Sequence, residues 1–308
     1  MTRMTGSALL QDPIAFDAAD ARALPGLSGA TVVLMTRDHR RWFVRKAARD
    51  PDGNARLRRQ LAKQLAFATA QGGAVRAPEV YAEGEIDGRF YFDMQFVRGT
   101  DGISYLRRAN YAEVVAVADR LCGYLGEIAA RPAREPVAGT LVEALATKVL
   151  EVQRKTGAIH AESFALVLSA LDRLRAQPPA LAPTLCHGDL TLENLVIEEG
   201  GVFWLIDFLD APFEHWWQDL AKLHQDLEGG WYLRSQAPIA RCVLDYVSRR
   251  LITAATVLEP VYGQLHALML ACTFARILPY TRSPEERAFV QLRIDHFARN
   301  LTTKPRSP

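Results

Sequence analysis

Leu185-Cys186-His187-Gly188-Asp189-Leu190-Thr191-Leu192-Glu193-Asn194, followed by Trp204-Leu205-Ile206-Asp207-Phe208, is the stretch on which the reading of this chain turns. His187, Asp189 and Asn194 stand in the order H-x-D-x-x-x-x-N. In that order a carboxylate can take a proton from an attacking hydroxyl and an amide oxygen can hold a divalent cation. Thirteen residues past Asn194 comes Asp207, a second hard oxygen donor. Between them lie two short apolar runs, Leu195-Val196-Ile197 and Val202-Phe203-Trp204-Leu205-Ile206, separated by the turn-forming Glu198-Glu199-Gly200-Gly201. That pattern predicts a β-hairpin. Because its strands run antiparallel, the residue before the first and the residue after the second share one end. Asn194 and Asp207 are therefore expected to meet, and two oxygen donors suit Mg2+, which keeps several waters and completes its shell with phosphates.

These residues resemble the aminoglycoside phosphotransferase and choline kinase branch of the protein-kinase-like fold. In that branch a Gly follows the His where protein kinases commonly carry Arg, and Gly188 stands there. The resemblance implies an α+β, bilobal, protein-kinase-like fold. A small β-rich N-terminal lobe is expected over residues 1–97, and a larger, mostly helical C-terminal lobe over 98–308. It implies ATP and Mg2+ as cofactors, Asp189 as catalytic base and Asn194 and Asp207 as metal ligands. His187 and Asp219 are implied as structural residues beside the site. Leu209 follows Phe208 where protein kinases have Gly, so of that triplet only Asp207 carries over.

Upstream, Gly26 and Gly29 precede the β-branched run Thr31-Val32-Val33. Glycine allows positive φ and close approach, so the turn at Gly29 is a candidate cover for phosphates. Arg41-Trp42-Phe43-Val44-Arg45-Lys46 reads as the next strand, whose alternation puts Val44 and Lys46 on one face and Arg45 on the other. In this register the pair resembles the kinase pattern, which implies Lys46 as the nucleotide-binding lysine and Val44 against adenine; a slip of one residue would substitute Arg45. Asn54 is expected to cap a helix over residues 55–70. The resembled family presents from this helix a Glu that pairs with the strand lysine, whereas residues 55–70 contain none. Gln60 and Gln64 occupy the corresponding positions and would hydrogen-bond Lys46 without neutralising it. The strand ending in Gln95-Phe96-Val97 resembles the hinge, where backbone groups of Gln95 to Val97 would face adenine.

Beyond the break at Arg98–Gly102 the pattern is helical, over about 111–130, 139–156, 161–177, 237–257, 259–278 and 284–301. Only eleven residues separate Asp207 from Asp219, little room for a long phosphorylation-switched segment. Asp210, Glu214, Asp226 and Glu228 crowd together with Trp216, Trp217, Trp231 and Tyr232. Acids and aromatic faces suit a cationic acceptor; helical periodicity produces the same mixture as a Trp-rich core face and a solvated acidic face.

Net charge is +2 over 308 residues, which makes no case for nucleic-acid binding. Cys122, Cys186, Cys242 and Cys272 lack zinc-finger spacing and read as reduced, mostly buried thiols. No run has the length of a membrane span or a signal core, so a cytoplasmic location is expected. The expected activity is ATP- and Mg2+-dependent phosphoryl transfer to a hydroxyl of a small molecule: an amino sugar, amino alcohol or sugar. The missing helix Glu and the Leu after Asp207-Phe208 motivate one alternative, a pseudokinase that binds nucleotide and regulates or recruits.

Overall fold

Thr31-Val32-Val33-Leu34 and Trp42-Phe43-Val44 are residues that favour extended backbone. In the computed structural model, which describes residues 22–24, 30–37, 41–68, 73–132, 140–156, 161–209 and 213–301, they pair antiparallel as β2 (Ala30–Arg37) and β3 (Arg41–Ala48). With β1 (Arg22–Leu24), β4 (Val80–Ile86) and β5 (Arg89–Gln95) they form one antiparallel sheet in the order β1-β2-β3-β5-β4. Asp87 and Gly88, with φ of 52° and 71°, make the tight β4–β5 turn that this twist favours. Helix α1 (Asn54–Ala68) lays Leu57 and Leu61 against Val44, Phe90, Phe92 and Met94.

The helix begins one residue earlier than its sequence suggests, and Asn54 is not its cap. Asp50 accepts from Gly53 N and starts a single turn of tighter helix at Pro51–Gly53 that leads straight into α1. Asn54 is thereby free to tie the helix to the sheet: its Nδ2 donates to Gly88 O and its Oδ1 accepts from Phe90 N, both at 2.8 Å.

By contact the described residues fall into two compact units, one comprising residues up to 100 together with 194–210, the other 101–193 together with 211 onward. The hairpin anticipated between Asn194 and Asp207 belongs to the first. Its strands β7 (Leu195–Ile197) and β8 (Phe203–Leu205) pair Leu195 with Leu205 and Ile197 with Phe203, and Gly200 and Gly201, both at positive φ, turn the chain. Arg76 joins β8 through two 2.8 Å backbone bonds, and β7 also borders the short strand β6 (Thr100–Asp101). Gly99 is required there: a Cβ would lie 2.6 Å from Ile197 O.

The second unit contains α2 (Gly102–Leu106), α3 (Tyr111–Ala129), α4 (Leu141–Thr156), α5 (Ala161–Ala176), α6 (Trp216–Leu227), α7 (Arg241–Leu258), α8 (Tyr262–Ile277) and α9 (Pro284–Arg299). Asn110 and Glu113 cap α3 reciprocally. Trp216, Trp217, Tyr232 and Tyr262 are fully buried, which assigns most of the aromatic residues after Asp207 to a core. Cys186 and Cys272 are buried, Cys122 is half-buried and Cys242 exposed. Among the described residues no helix is long and apolar enough to cross a membrane.

Arg45, on the face opposite Val44, meets Asp93 across the β3–β5 register in a bidentate pair, both bonds 2.7 Å, with its guanidinium 4.1 Å from the Tyr91 ring centre. Burial outweighs the guanidinium and leaves the Asp93 carboxyl above its ordinary range, so the pair stabilises little beyond offsetting its own desolvation. Removing one member is a different matter. Asp93→Ala should cost about 3–5 kcal/mol in urea denaturation, while the double substitution Arg45→Met/Asp93→Leu should cost markedly less.

Candidate active site

In the first unit, β3 sets the lysine. Lys46 lies on the Val44 face, only 3% exposed, and its Nζ donates to Asp207 Oδ1. Arg45, the register rival, is committed to Asp93. The antiparallel hairpin places the other two residues: Ile206 N donates to Asn194 O at 3.0 Å, so Asn194 and Asp207 stand at one end of β7–β8. Asp207 has φ of 64°, in the left-handed region that non-glycine residues rarely occupy. The segment after it is held by α1: Phe208 packs on Phe67 with ring centres 5.2 Å apart, and Lys63 Nζ donates to Leu209 O at 2.7 Å. With Leu in place of Gly, the backbone is thus anchored through its carbonyl.

The glutamines of α1 do not substitute for a helix Glu. Gln64 Nε2 donates to Pro78 O at 2.9 Å and approaches Met94 Sδ at 3.6 Å, and the buried Gln60 Oε1 has no hydrogen-bond partner among the described residues. The charge that faces Lys46 comes from Asp207. At the expected hinge, the N–H of Gln95 is given to Glu79 O at 2.8 Å, and Phe96 and Val97 follow in irregular backbone beyond β5.

In the second unit, α6 carries Asp219, Lys222 and Asp226. At 100° per residue, spacings of three and seven keep these side chains within about 60° of arc. That row meets the loop around Asp189 residue by residue. Asp219 accepts from His187 N at 2.6 Å and Gly188 N at 2.7 Å, and also from Tyr124 OH at 2.5 Å. Lys222 Nζ lies 2.8 Å from Asp189 Oδ1. Asp226 Oδ2 accepts from Leu192 N at 2.8 Å. Gly188 has φ of 89°, which is why glycine serves at this turn. The buried ring of His187 takes Asp189 N–H on its Nδ1 at 3.3 Å, a structural use of the imidazole.

Burial alone would raise the Asp189 carboxyl, but Lys222, first by its charge and then by its hydrogen bond, with smaller help from His187 and Arg276, holds it below the ordinary carboxylate range. Asp189 is therefore an ionised acceptor at neutral pH. Lys222 carries no sequence motif; its partner lies 33 residues away in the chain, and only α6 packing against the loop reveals it.

The other candidates are placed as follows. Gly29 and Asp210 lie outside the described residues. Glu214 accepts from Cys186 Sγ at 3.1 Å through its carboxylate and from Thr184 N through its carbonyl. Asp226, considered from sequence as a substrate contact, is 1% exposed and bonded to the loop backbone, so its position makes it a support of that loop.

The sequence matches the family model described as "Phosphotransferase enzyme family" over residues 20–249. Among solved structures, a protein of Thermobifida fusca described as a fructosamine-3-kinase shares 18% identity at a TM-score of 0.61, covering 97% of this chain and 99% of that one. A choline kinase from Streptococcus pneumoniae shares 15% identity at a TM-score of 0.59, covering 91% and 94%. An amicoumacin kinase in complex with AMP-PNP, Ca2+ and Ami shares 14% identity at a TM-score of 0.62, covering 98% and 93%. At these identities the likeness is one of fold, and the fold is the protein-kinase-like phosphotransferase fold. No protein of curated function matches the sequence.

Asp226 gives the site a pH signature. Burial first, with Glu193 adding to it, raises its carboxyl to about 7 against the opposing Leu192 N–H, Lys222 and Arg234. The native state therefore keeps this proton where the unfolded chain, titrating near 4, has lost it. The contribution of Asp226 to stability should be fullest below pH ~4, fall by up to roughly 4 kcal/mol as pH rises to ~7, and level off above. Denaturant midpoints of wild type and Asp226→Asn across that window check this: the difference between them should shift in the stated direction, with the Asn variant lacking the fall.

Proposed function

The chain belongs to the phosphotransferase enzyme family, its match covering residues 20–249, and from that premise we propose that it transfers the γ-phosphoryl group of ATP, with Mg2+, to a hydroxyl of a small molecule. The observation that carries the proposal is the Lys222–Asp189 pair within a loop pinned by Asp219 and Asp226, because it keeps an ionised carboxylate in fixed register on the H-x-D motif.

Asp189 acts as the base. As the acceptor oxygen bonds to phosphorus, its O–H bond breaks, the proton passes to the Asp189 carboxylate, and ADP carries away the electrons of the broken P–O bond. Lys222 fixes the carboxylate's direction. In the nucleotide-binding part, Lys46 serves the phosphates, Val44 lies against adenine and backbone groups of Gln95 to Val97 meet its edge. Asn194 and Asp207 would hold the metal; their fit rests on the hairpin, whose Ile206–Asn194 bond keeps an amide oxygen and a carboxylate, both hard donors, at one end. Bound there, Mg2+ supplies charge neutralisation on the phosphates. The chain's own contribution is positioning and electrostatics. For the acceptor, the names choline kinase and amicoumacin kinase among similar structures support an amine-bearing alcohol, an amino sugar or a sugar.

One observation favours the pseudokinase: α1 brings no acid to Lys46, whose partner is the proposed metal ligand Asp207. Magnesium-dependent ATP consumption separates the two, measured for wild type and Asp189→Asn against aminoglycosides, choline, ethanolamine and sugars. One acceptor should stimulate wild type, and Asp189→Asn should lose about 10³-fold or more of that turnover with nucleotide affinity within a few-fold of wild type. Full turnover in the variant removes Asp189 as base; nucleotide binding with no stimulating acceptor favours the pseudokinase.

A further inference from the structure

The C-terminal end of α6 carries chemistry that phosphoryl transfer does not use. His224 and Glu228 lie one helical turn apart there, and His266 approaches from α8. His224 Nδ1 is 2.9 Å from Leu220 O, and His266 Nδ1 is 3.1 Å from Tyr262 OH. Each ring therefore points its Nε2 inward, at 3.6 Å and 3.0 Å from the same Glu228 Oε1. One donor atom from each of the three residues falls within 4.8 Å of the others. Ligands at zinc-like bond lengths on a tetrahedron stand about 3.4 Å apart, so little movement would complete the arrangement.

The surroundings of His224 point the same way. Its Nδ1 faces the Leu220 carbonyl, and its Nε2 faces the Ser248 carbonyl at 3.4 Å as well as the Glu228 carboxylate. All are acceptors, and a neutral imidazole has one N–H to give. The ring is fully buried. In the neutral ring one nitrogen lone pair faces oxygen unless a cation lies between. The Nδ1 contacts of both rings are the outer hydrogen bonds that orient metal-bound histidines. The negative end of the α6 dipole adds to the attraction.

We propose that His224, Glu228 and His266 bind one divalent transition-metal cation, Zn2+ by donor chemistry. Two imidazoles and a carboxylate suit zinc, whereas Mg2+ and Ca2+ take oxygen ligands, so this site is chemically distinct from the one proposed at Asn194 and Asp207. Three protein ligands leave a fourth position for water. A cavity of about 300 Å3, lined by Arg241, Asp245, Ser248, Arg249 and His296 among others, reaches Glu228, one of the three ligands. The cation ties the end of α6 to α8, on the helix whose Asp219, Lys222 and Asp226 hold the loop at Asp189.

The test uses the full chain without a histidine tag, stripped with a chelator and titrated with Zn2+ and Co2+. Wild type should bind one equivalent, Co2+ should show the visible absorption of a low-coordinate N/O site, and Zn2+ should raise the melting temperature. His266→Gln and Glu228→Gln should lose affinity about 100-fold or more, and Tyr262→Phe, which keeps all three ligands, about 10-fold. No stoichiometric binding by wild type overturns the proposal, as does undiminished affinity in variants whose circular dichroism is native, or a preference for Mg2+ over Zn2+ at these residues. If the glutamine variants do not fold, the Tyr262→Phe titration decides. None of these readouts depends on phosphoryl transfer, so the two proposals fail separately.

Discussion

Asp219 is out of reach of solvent and accepts hydrogen bonds from three donors: the amides of His187 and Gly188 and the phenol of Tyr124. A loop that turns through positive φ at Gly188 cannot satisfy those amides within a helix or sheet, and a buried N–H without an acceptor is costly. The carboxylate settles both at once with charge-assisted bonds. Burial, and then the charge of Asp219, push the Tyr124 phenol well above its ordinary pKa, which keeps it a donor. The direction in which Asp189 is presented depends on this one anion.

Helix α6 extends the same device along its length. Asp219, Lys222 and Asp226 meet the loop at its start, middle and end, so one rigid rod reads the register of residues 187–192. Each member of the row faces a complementary group of the loop: Asp219 the amides of His187 and Gly188, Lys222 the carboxylate of Asp189, Asp226 the amide of Leu192. Asp226 is the member for which burial dominates, with one carboxylate oxygen lacking a partner among the described residues. It gives up some stability at neutral pH in return for a fixed loop end.

The first unit solves its electrostatics differently. Lys46 is buried on the core face of β3 and needs an anion, yet α1 brings none. Asp207 supplies it from the end of the β7–β8 hairpin, while Phe208 and Leu209 are anchored on α1 through Phe67 and Lys63. Helix, strand lysine and hairpin are linked through Asp207 and the residues after it, without the helix acid that the resembled family uses.

How much of this was legible beforehand follows from range. The hairpin between Asn194 and Asp207, the shared face of Val44 and Lys46, and the helices of the second unit were readable because they follow from local backbone periods of two and 3.6 residues. The local signal failed where a neighbour in space competed: Asn54, a good cap by composition, was taken by Gly88 and Phe90, and Asp50 capped instead. Gln60 and Gln64 occupied suitable helix positions, but Gln64 found Pro78 nearer. By itself the sequence determined the H-x-D-x-x-x-x-N order, its hairpin and the missing helix Glu. Only the tertiary structure decided that Asp207 faces Lys46, that Lys222 faces Asp189, and that Asp226 lies inside. Those partners are 161, 33 and 34 residues apart, and pairing at such distances is set by which faces pack and what burial demands, which no local period encodes.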